Sequence, residues 1–290
     1  MRICCLSIVV GFLLAPLHPS CAEMEFNTSI MQSTFKIQGK GSTGTAFLLS
    51  KKSATLAGKH HPVLITANHV LADMKGETAT LILRKRVGKD KWKRDPTTIQ
   101  IRAGKTNLWA KHPEVDLAAI WFDPPPGVIR EFSTIDRLIV DITIEKYEIH
   151  PGDTLFCLGY PFTSEANAEG FPILRTGAIA SYPLTPTKKR KVFLYDFCVF
   201  RGNSGGPVYM VDKNRYYAGS FHVSEVFHGL IGVVSKERKL TEKLNLQFER
   251  REIDTPLSVA EVIHASFIKE LVDSMPEPSV KSNRLAGTDP

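Results

Sequence analysis

The segment best suited to chemistry is 201–208, which reads Arg-Gly-Asn-Ser-Gly-Gly-Pro-Val. A serine hydroxyl becomes an effective nucleophile only with a general base in reach and with donors aimed at the oxyanion that its attack creates. Glycines on both sides of Ser204 free the backbone and expose its N–H groups, so Gly202 and Ser204 form a suitable donor pair. The segment therefore indicates acyl chemistry at Ser204, and a glycine-rich turn with an incidental serine is the plain alternative.

A general base for Ser204 is most readily found in His69, one of nine histidines in the chain. His69 directly follows the strand-like stretch 64–68, which reads Leu-Ile-Thr-Ala-Asn. An imidazole at the end of a rigid strand can be held accurately against another part of the protein. A core histidine with satisfied ring nitrogens is the alternative.

An acidic partner for the imidazole is offered by Asp116, which stands just before the apolar run 117–122. A buried carboxylate needs hydrogen-bond donors, and the Nδ1–H of a histidine is one such donor. The alternative is an exposed aspartate at a strand edge. The three candidates follow one another in the order His69, Asp116 and Ser204, separated by 47 and 88 residues, and triads of the chymotrypsin type have a similar order and spacing.

Six short motifs in chain order resemble those of the trypsin-like serine protease superfamily, and within it the bacterial HtrA/DegP-like branch. Together they span about residues 35–270. The motifs are Gly44-Thr-Ala-Phe-Leu-Leu, Ile65-Thr-Ala-Asn-His-Val, Val115-Asp-Leu-Ala-Ala-Ile, Gly159-Tyr-Pro-Phe, Thr176-Gly-Ala-Ile-Ala and Arg201-Gly-Asn-Ser-Gly-Gly-Pro-Val.

The resemblance implies an all-β fold of two six-stranded antiparallel β-barrels, followed here by a C-terminal helix, with the active site between the barrels. It implies a serine endopeptidase that forms an acyl-enzyme on Ser204, with His69 as general base and Asp116 as its orienting partner. The N–H groups of Gly202 and Ser204 would form the oxyanion hole. Ser235 resembles the family serine that supports the catalytic acid and begins the substrate-pairing strand.

Three departures from the family pattern limit what the resemblance implies. Asn203 replaces the aspartate that pairs with a newly cut N-terminus in digestive members, so we expect no activation by that route. Cys198 stands six residues before Ser204, where tryptic enzymes have an aspartate, so preference for Lys or Arg loses its electrostatic basis. An apolar pocket edged by Cys198 and Val199 predicts an aliphatic P1 residue. The third departure concerns the region after the second barrel, where DegP-like proteins carry PDZ domains. Here we expect only a helix and a tail, and no PDZ domain.

Short apolar runs broken by turns predict strands along most of the chain. Three consecutive prolines at 124–126 interrupt the series and predict an extended connection. Ser258 and Glu261 form a capping box that predicts the start of a helix. The predicted divisions are a signal peptide at 1–22, an N-terminal β-barrel at 23–123, a linker at 124–149, a C-terminal β-barrel at 150–257, a helix at 258–275 and a disordered tail at 276–290.

The first 22 residues resemble a secretory signal, with Arg2, an apolar run over 3–14 and the ending Ser-Cys-Ala. We therefore expect export to the periplasm or the medium after cleavage near Ala22, and no integral membrane span in the mature chain. An uncleaved anchor is the alternative. Cleavage leaves Cys157 and Cys198, which allow one disulfide at most, and the sequence leaves that bridge open.

The net charge of +7 comes largely from two basic runs, at 84–94 and 188–191. Apart from Trp92 these runs lack interleaved aromatic residues, so no specific nucleic-acid partner is expected. We interpret them as solvated loop tips, with attraction to acidic surfaces as a secondary effect. The sequence has no HExxH, no CxxC pair and no acidic calcium loop, so we expect no metal or other cofactor, and polypeptide substrates are the expected partners.

Two other functions stay open at this point. The stretch from Gly202 to Gly206 also fits G-x-S-x-G, the nucleophile elbow of α/β-hydrolases, and an esterase would need a helix directly after it. A catalytically silent binding module of protease fold is the second alternative, because a complete triad does not guarantee a formed oxyanion hole. Covalent labelling of the serine separates enzyme from binding module.

Overall fold

The computed structural model describes residues 21–128, 133–245 and 250–278. The predicted signal peptide at 1–22 lies outside these residues except for its last two, and it stays a prediction. Most of the predicted tail, 279–290, lies outside them as well. No helix in the described ranges is long and apolar enough to cross a lipid bilayer.

The N-terminal half is built of antiparallel strands, as predicted. They are β1 (Thr34–Lys40), β2 (Ser42–Lys52), β3 (His60–Thr66), β4 (Lys75–Gly88), β5 (Lys91–Gln100), β6 (Arg102–Ala103), β7 (Thr106–Asn107), β8 (Ala110–Lys111) and β9 (Ala118–Trp121). Seven of them form one sheet in the order β5-β4-β1-β2-β3-β9-β8, and β6 pairs with β7. This half is thus a seven-stranded sheet where six barrel strands were predicted. Strands β4 and β5 extend past the buried core and end in an exposed, charged hairpin.

The register of this sheet decides where two of the candidate residues lie. Strand β3 ends at Thr66, which pairs with Ala118 at the start of β9. Because the two strands are antiparallel, the residues that come after Thr66 and those that precede Ala118 lie at the same end of this strand pair. His69 lies just beyond the first strand and Asp116 just before the second, so the register brings them together.

The C-terminal half is a closed six-stranded barrel, which confirms the predicted architecture of this half. Its strands are β10 (Thr154–Gly159), β11 (Ile173–Ile179), β12 (Val192–Asp196), β13 (Pro207–Tyr217), β14 (Ser220–Asn245) and β15 (Arg250–His264), in the order β10-β11-β12-β15-β14-β13. The pairing of Pro207 with Val233 places the segment before β13 beside the middle of β14. Ser204 is therefore carried towards Ser235.

The C-terminal helix begins later than predicted. Helix α4 spans Ala265–Ser274, and residues 258–264 belong to β15. The capping-box prediction at Ser258 and Glu261 is wrong, because this stretch is paired on one side with β12 and on the other with β14. Two neighbouring strands outweigh a local helix signal, and the Val-rich sequence 259–263 suits a strand.

Part of the predicted disordered tail is bound to the N-terminal sheet. The indole Nε1–H of Trp121 donates to the carbonyl oxygen of Pro276 at 2.9 Å. The carboxylate of Glu277 accepts hydrogen bonds from Ser53 and Thr55, both at 3.0 Å. The tail prediction therefore fails for 276–278. The predicted linker likewise holds some regular structure in its described part, with a 3₁₀ turn at Ile135–Arg137 and helix α3 at Asp141–Lys146.

Helix α1 (Cys21–Ser33) bridges the two halves and was not predicted from the sequence. The side chains of Phe26 and Ile30 are buried. The ring of Phe26 lies 5.8 Å from that of Tyr209 in the C-terminal barrel. The same apolar cluster includes Phe47 and Leu49 from the N-terminal sheet, so α1 packs across the junction of the halves.

Candidate active site

The geometry of the site centres on the contact between His69 and Asp116. The Nδ1 atom of His69 lies 2.6 Å from Oδ2 of Asp116. The backbone N–H of His69 donates to the other carboxylate oxygen, Oδ1, at 2.9 Å. Two contacts to one residue fix both the position and the orientation of the carboxylate, so the imidazole is held with its Nε2 edge free for other partners.

Asp116 has a third donor in the C-terminal barrel, because the hydroxyl of Ser235 donates to its Oδ2 at 3.0 Å. Burial raises the pKa of Asp116, but the hydrogen bonds from His69 and Ser235 outweigh it and leave that pKa below its ordinary value. The hydrogen bond that His69 donates to Asp116 also raises the pKa of His69 above its ordinary value of 6.5, although partial burial lowers it. The pair therefore favours a carboxylate beside an imidazole that readily accepts a proton.

His69 is carried by helix α2 (Asn68–Ala72), a single turn that directly follows β3. Arg102 holds the end of this turn, where carbonyl groups lack helical partners. Its guanidinium donates to the carbonyl oxygens of Leu71 at 3.0 Å and Met74 at 2.7 Å. Trp109 donates from Nε1 to the side chain of Asn68 at 3.0 Å. Sequence reasoning missed Arg102, since a lone arginine in a short strand carries no motif.

The Ser204 loop is hydrogen-bonded to both halves of the protein. The backbone N–H of Thr45 donates to the carbonyl oxygen of Ser204 at 2.8 Å, and the Thr45 hydroxyl donates to that of Gly202 at 2.7 Å. On the other side, Gly205 N–H donates to the carbonyl oxygen of Val234 at 2.7 Å. These bonds fix the loop between the sheet and the barrel.

The loop also lies close to the helix that carries His69. A Cβ atom added at Gly44 would lie 2.6 Å from Val70 and 3.0 Å from the carbonyl oxygen of Ser204. Glycine is therefore required there, because α2 and the Ser204 backbone approach each other at this position. The structure thus brings His69 and Asp116 into direct contact and the Ser204 backbone close to the turn that carries His69, and no hydrogen bond joins the Ser204 side chain to His69 among the described residues.

The turn before Ser204 fixes the direction of the backbone N–H of Gly202. Asn203 N–H donates to the carbonyl oxygen of Phe200 at 3.0 Å, and Gly202 has φ +100°, as in the third position of a type II turn. The Arg201 carbonyl accepts from Phe162 N–H at 2.7 Å. A trans peptide points its C=O and N–H in opposite directions, so the Gly202 N–H is turned away from Phe162.

The two predicted oxyanion donors are free of protein acceptors. Within the described residues, neither the N–H of Gly202 nor that of Ser204 donates to another protein group, whereas those of Gly205 and Gly206 do. Asn203 stands where digestive members have an aspartate that pairs with the new N-terminus. It is buried, and among the described residues none of its hydrogen bonds joins a cationic group. Both N–H groups are therefore left available to an anion beside Ser204.

The predicted specificity residues lie between strand β12 and the Ser204 loop. Val199 is buried and Cys198 is half-buried. The carbonyl oxygen of Cys198 accepts from the guanidinium of Arg175 at 3.0 Å, and that group lies 4.6 Å from the ring centre of Phe197. Arg175 was missed by sequence reasoning, because it comes from β11, remote in the chain. The prediction of an aliphatic P1 pocket was based on the apolar character of Cys198 and Val199 and did not include this cation.

Cysteine and metal predictions can be compared with the described residues. Cys157 and Cys198 are both free thiols. Burial raises the pKa of the Cys157 thiol to about 12, so this group is inert near neutral pH. In the described ranges, no three His, Cys, Asp or Glu side chains are grouped to hold a metal ion.

The basic run at 84–94 was predicted to be a solvated loop tip, but part of it is buried. Arg84, its first residue, is buried at 1% exposure in strand β4. The rest of the run forms the exposed hairpin between β4 and β5. The prediction is therefore wrong for Arg84, whose aromatic and carbonyl neighbours come from distant parts of the chain.

Residues 44–217 match the family described as "Trypsin-like peptidase domain". One similar structure is the inactive form of a serine-to-alanine mutant of Rv3671c from M. tuberculosis H37Rv. It is 17% identical, with a TM-score of 0.44, over 91% of this chain and 98% of that chain. Another, the inactive form of Rv3671c protease, is 16% identical, with a TM-score of 0.39, over 85% and 90%. No curated protein matches the chain.

Proposed function

The chain belongs to the trypsin-like peptidase family, and we propose that it is a serine endopeptidase with Ser204 as nucleophile, His69 as general base and Asp116 as the orienting acid. The observation that most supports the proposal is the 2.6 Å contact between His69 Nδ1 and Asp116 Oδ2. This contact selects the tautomer in which Nε2 can accept a proton from the serine hydroxyl.

The reaction is built from the roles proposed for these groups. His69 Nε2 takes the proton of Ser204 as its Oγ attacks the peptide carbonyl, and the imidazolium is stabilised by Asp116. The oxyanion of the tetrahedral intermediate accepts hydrogen bonds from the N–H groups of Gly202 and Ser204. His69 then protonates the leaving amine, and a water molecule hydrolyses the acyl-enzyme by the same steps.

A substrate strand has a place to bind along β14. Strand β13 pairs with β14 only as far as Val233, so beyond Ser235 that edge has no β13 partner. An extended peptide can add its main chain to such an edge. We propose that Ser235 begins this substrate-pairing edge, and that Cys198 and Val199 border a pocket for an aliphatic P1 residue.

The first experiment is labelling of the mature chain by a fluorophosphonate, together with cleavage of unfolded casein. Both are expected for the wild type and lost in Ser204→Ala and His69→Ala. Matched controls are Ser220→Ala and His60→Ala, because both residues are exposed and begin strands β14 and β3, whereas Ser235 and His69 lie towards or beyond the other ends. A folded wild type that neither labels nor cleaves casein contradicts the endopeptidase and supports a binding module.

The esterase alternative is disfavoured by the secondary structure on the C-terminal side of Ser204. A nucleophile elbow leads from a strand into a helix, whereas here the chain continues into strand β13, Pro207–Tyr217. A cleavage-site profile on a peptide library tests the P1 proposal. The library should include acidic P1 residues, since Arg175 contacts the Cys198 carbonyl; strong preference for Glu or Asp would contradict the aliphatic pocket.

We further propose that the protein is exported after cleavage near Ala22, which N-terminal sequencing of the mature protein tests. Such cleavage keeps Phe26 and Ile30 of α1 in the mature chain. Membership of the DegP-like branch and attraction to acidic surfaces stay predictions.

A further inference from the structure

The guanidinium of Arg84 is a buried charge in the N-terminal sheet. Its side chain is 1% exposed. The guanidinium lies between two aromatic rings, 4.7 Å from the ring centre of Phe35 and 4.4 Å from that of Phe171. A buried cation is costly unless hydrogen bonds compensate for the lost water, so the acceptors that surround Arg84 show what it connects.

One nitrogen of Arg84 binds the junction between α1 and β1. Nη2 donates to the carbonyl oxygens of Gln32 at 3.0 Å and Thr34 at 2.6 Å, with a longer bond to Met31 at 3.3 Å. The last carbonyl groups of a helix lack partners and form the negative end of its dipole. Arg84 therefore caps helix α1.

The other nitrogen of Arg84 binds both ends of the 160–171 loop. Nη1 donates to the carbonyl oxygen of Gly170 at 2.7 Å and to the hydroxyl of Tyr160 at 3.2 Å. Two further cations of the N-terminal sheet hold the same loop, since Lys36 and Arg94 both pair with Glu165. The loop is part of the C-terminal half, but its anchors come from the N-terminal sheet.

The 160–171 loop in turn holds the turn that presents Gly202. Its Phe162 N–H donates to the carbonyl oxygen of Arg201 at 2.7 Å, which directs the Gly202 N–H to the opposite side. Phe162 and Thr163 have φ +50° and +65°. Non-glycine residues rarely adopt this region, so the loop conformation depends on external anchors.

We propose that Arg84 is a positioning residue for the oxyanion hole, linking the α1–β1 junction to Gly202 through the 160–171 loop. Arg84 contacts the loop and not the turn, so it acts through Phe162. The inference rests on the proposed endopeptidase function. It assigns to a residue outside the triad the task of keeping a transition-state donor in place.

The test is Arg84→Met, which keeps most of the side-chain length and removes all donors. The matched control is Arg86→Met, two residues further along β4, where the side chain is exposed and donates to Gly88. Loss of one oxyanion donor typically lowers kcat by about 10²–10³. We expect a partial loss for Arg84→Met, about 10–100-fold in kcat with KM nearly unchanged, and no loss for Arg86→Met.

A second readout separates positioning from general stability. A peptide aldehyde forms a tetrahedral adduct that needs the oxyanion hole, so its affinity should fall in parallel with kcat in Arg84→Met. Tyr160→Phe removes one hydroxyl of the same network and should lower kcat several-fold. If Arg84→Met does not fold, the kcat of Tyr160→Phe tests the positioning inference in its place.

Unchanged kcat and aldehyde affinity in folded Arg84→Met overturn the positioning inference while the endopeptidase proposal stands. The same holds for unchanged kcat in Tyr160→Phe when Arg84→Met does not fold. A wild type that neither cleaves peptides nor labels overturns the endopeptidase proposal itself, so the two failures are distinguishable.

Discussion

The hydroxyl of Ser235 lies 3.0 Å from Oδ2 of Asp116, the same oxygen that contacts the imidazole. A residue of the C-terminal barrel thus helps hold a carboxylate of the N-terminal half. Ser235→Ala should lower kcat about tenfold, because Asp116 loses a donor worth about 1–2 kcal/mol. Steady-state kinetics against the Ser220→Ala control checks this, and equal kcat values in both variants would contradict it.

The pH profile should report the raised pKa of His69. Protonated imidazole cannot act as a base, and Asp116 favours the protonated form. The acid limb of kcat/KM is therefore expected above pH 6.5. In Asp116→Asn the main cause of the shift is gone, so the limb should move to lower pH, and kcat should fall about 10⁴-fold. An identical limb in both proteins would argue against His69 as the base.

Gly205 and Gly219 offer a matched pair for backbone strain. Both have positive φ, +84° and +76°. A Cβ at Gly205 would collide with the Thr45 carbonyl oxygen and the Thr66 hydroxyl, whereas at Gly219 nothing lies within 4 Å. Gly219→Ala should lower the free energy of unfolding by about 1 kcal/mol, and Gly205→Ala by about 3 kcal/mol. Equal losses in denaturant titrations would show that the Ser204 loop can shift freely.

His264 should make the fold sensitive to acid. Its ring is fully buried, and neither ring nitrogen has a hydrogen-bond partner among the described residues. Burial lowers the pKa of His264 to about 4. Between pH 6.5 and pH 4 the unfolded chain binds a proton that the folded chain does not, so stability falls as the pH falls. The loss from this residue is on the order of 3 kcal/mol.

The His264 contribution is isolated by a difference measurement. The free energy of unfolding of the wild type and of His264→Leu is measured from pH 7 to pH 4, with exposed His60→Leu as control. The difference between wild type and His264→Leu should decrease as the pH falls towards 4. A level difference for His264→Leu would mean that the ring is protonated in the folded state.

Much of the fold and the candidate site could be predicted because the signals are local. The strand-like run before His69 and the apolar run after Asp116 become β3 and β9, and their register brings the two residues together. The glycines around Ser204 are required by close backbone contacts. Each of these features depends on a few neighbouring residues, which a sequence displays directly.

The features that were missed depend on contacts between distant parts of the chain. The capping box at Ser258 is a valid local signal, but pairing with two strands overrides it. Arg84 belongs to a basic run, and only the folded chain supplies the carbonyl groups that bury it. Helix α1 has weak amphipathic character and is stabilised by apolar residues of both halves.

Helix α1 has a consequence for how the molecule unfolds. Phe26 contacts Tyr209 of the barrel and belongs to the same cluster as Phe47 of the sheet, so separating the halves exposes residues on all three elements. Unfolding of either half therefore also removes contacts of the helix, which couples the unfolding of the two halves. The two β-structures are thereby joined into one cooperative unit, and calorimetry should record one endotherm, which Phe26→Ala broadens or divides.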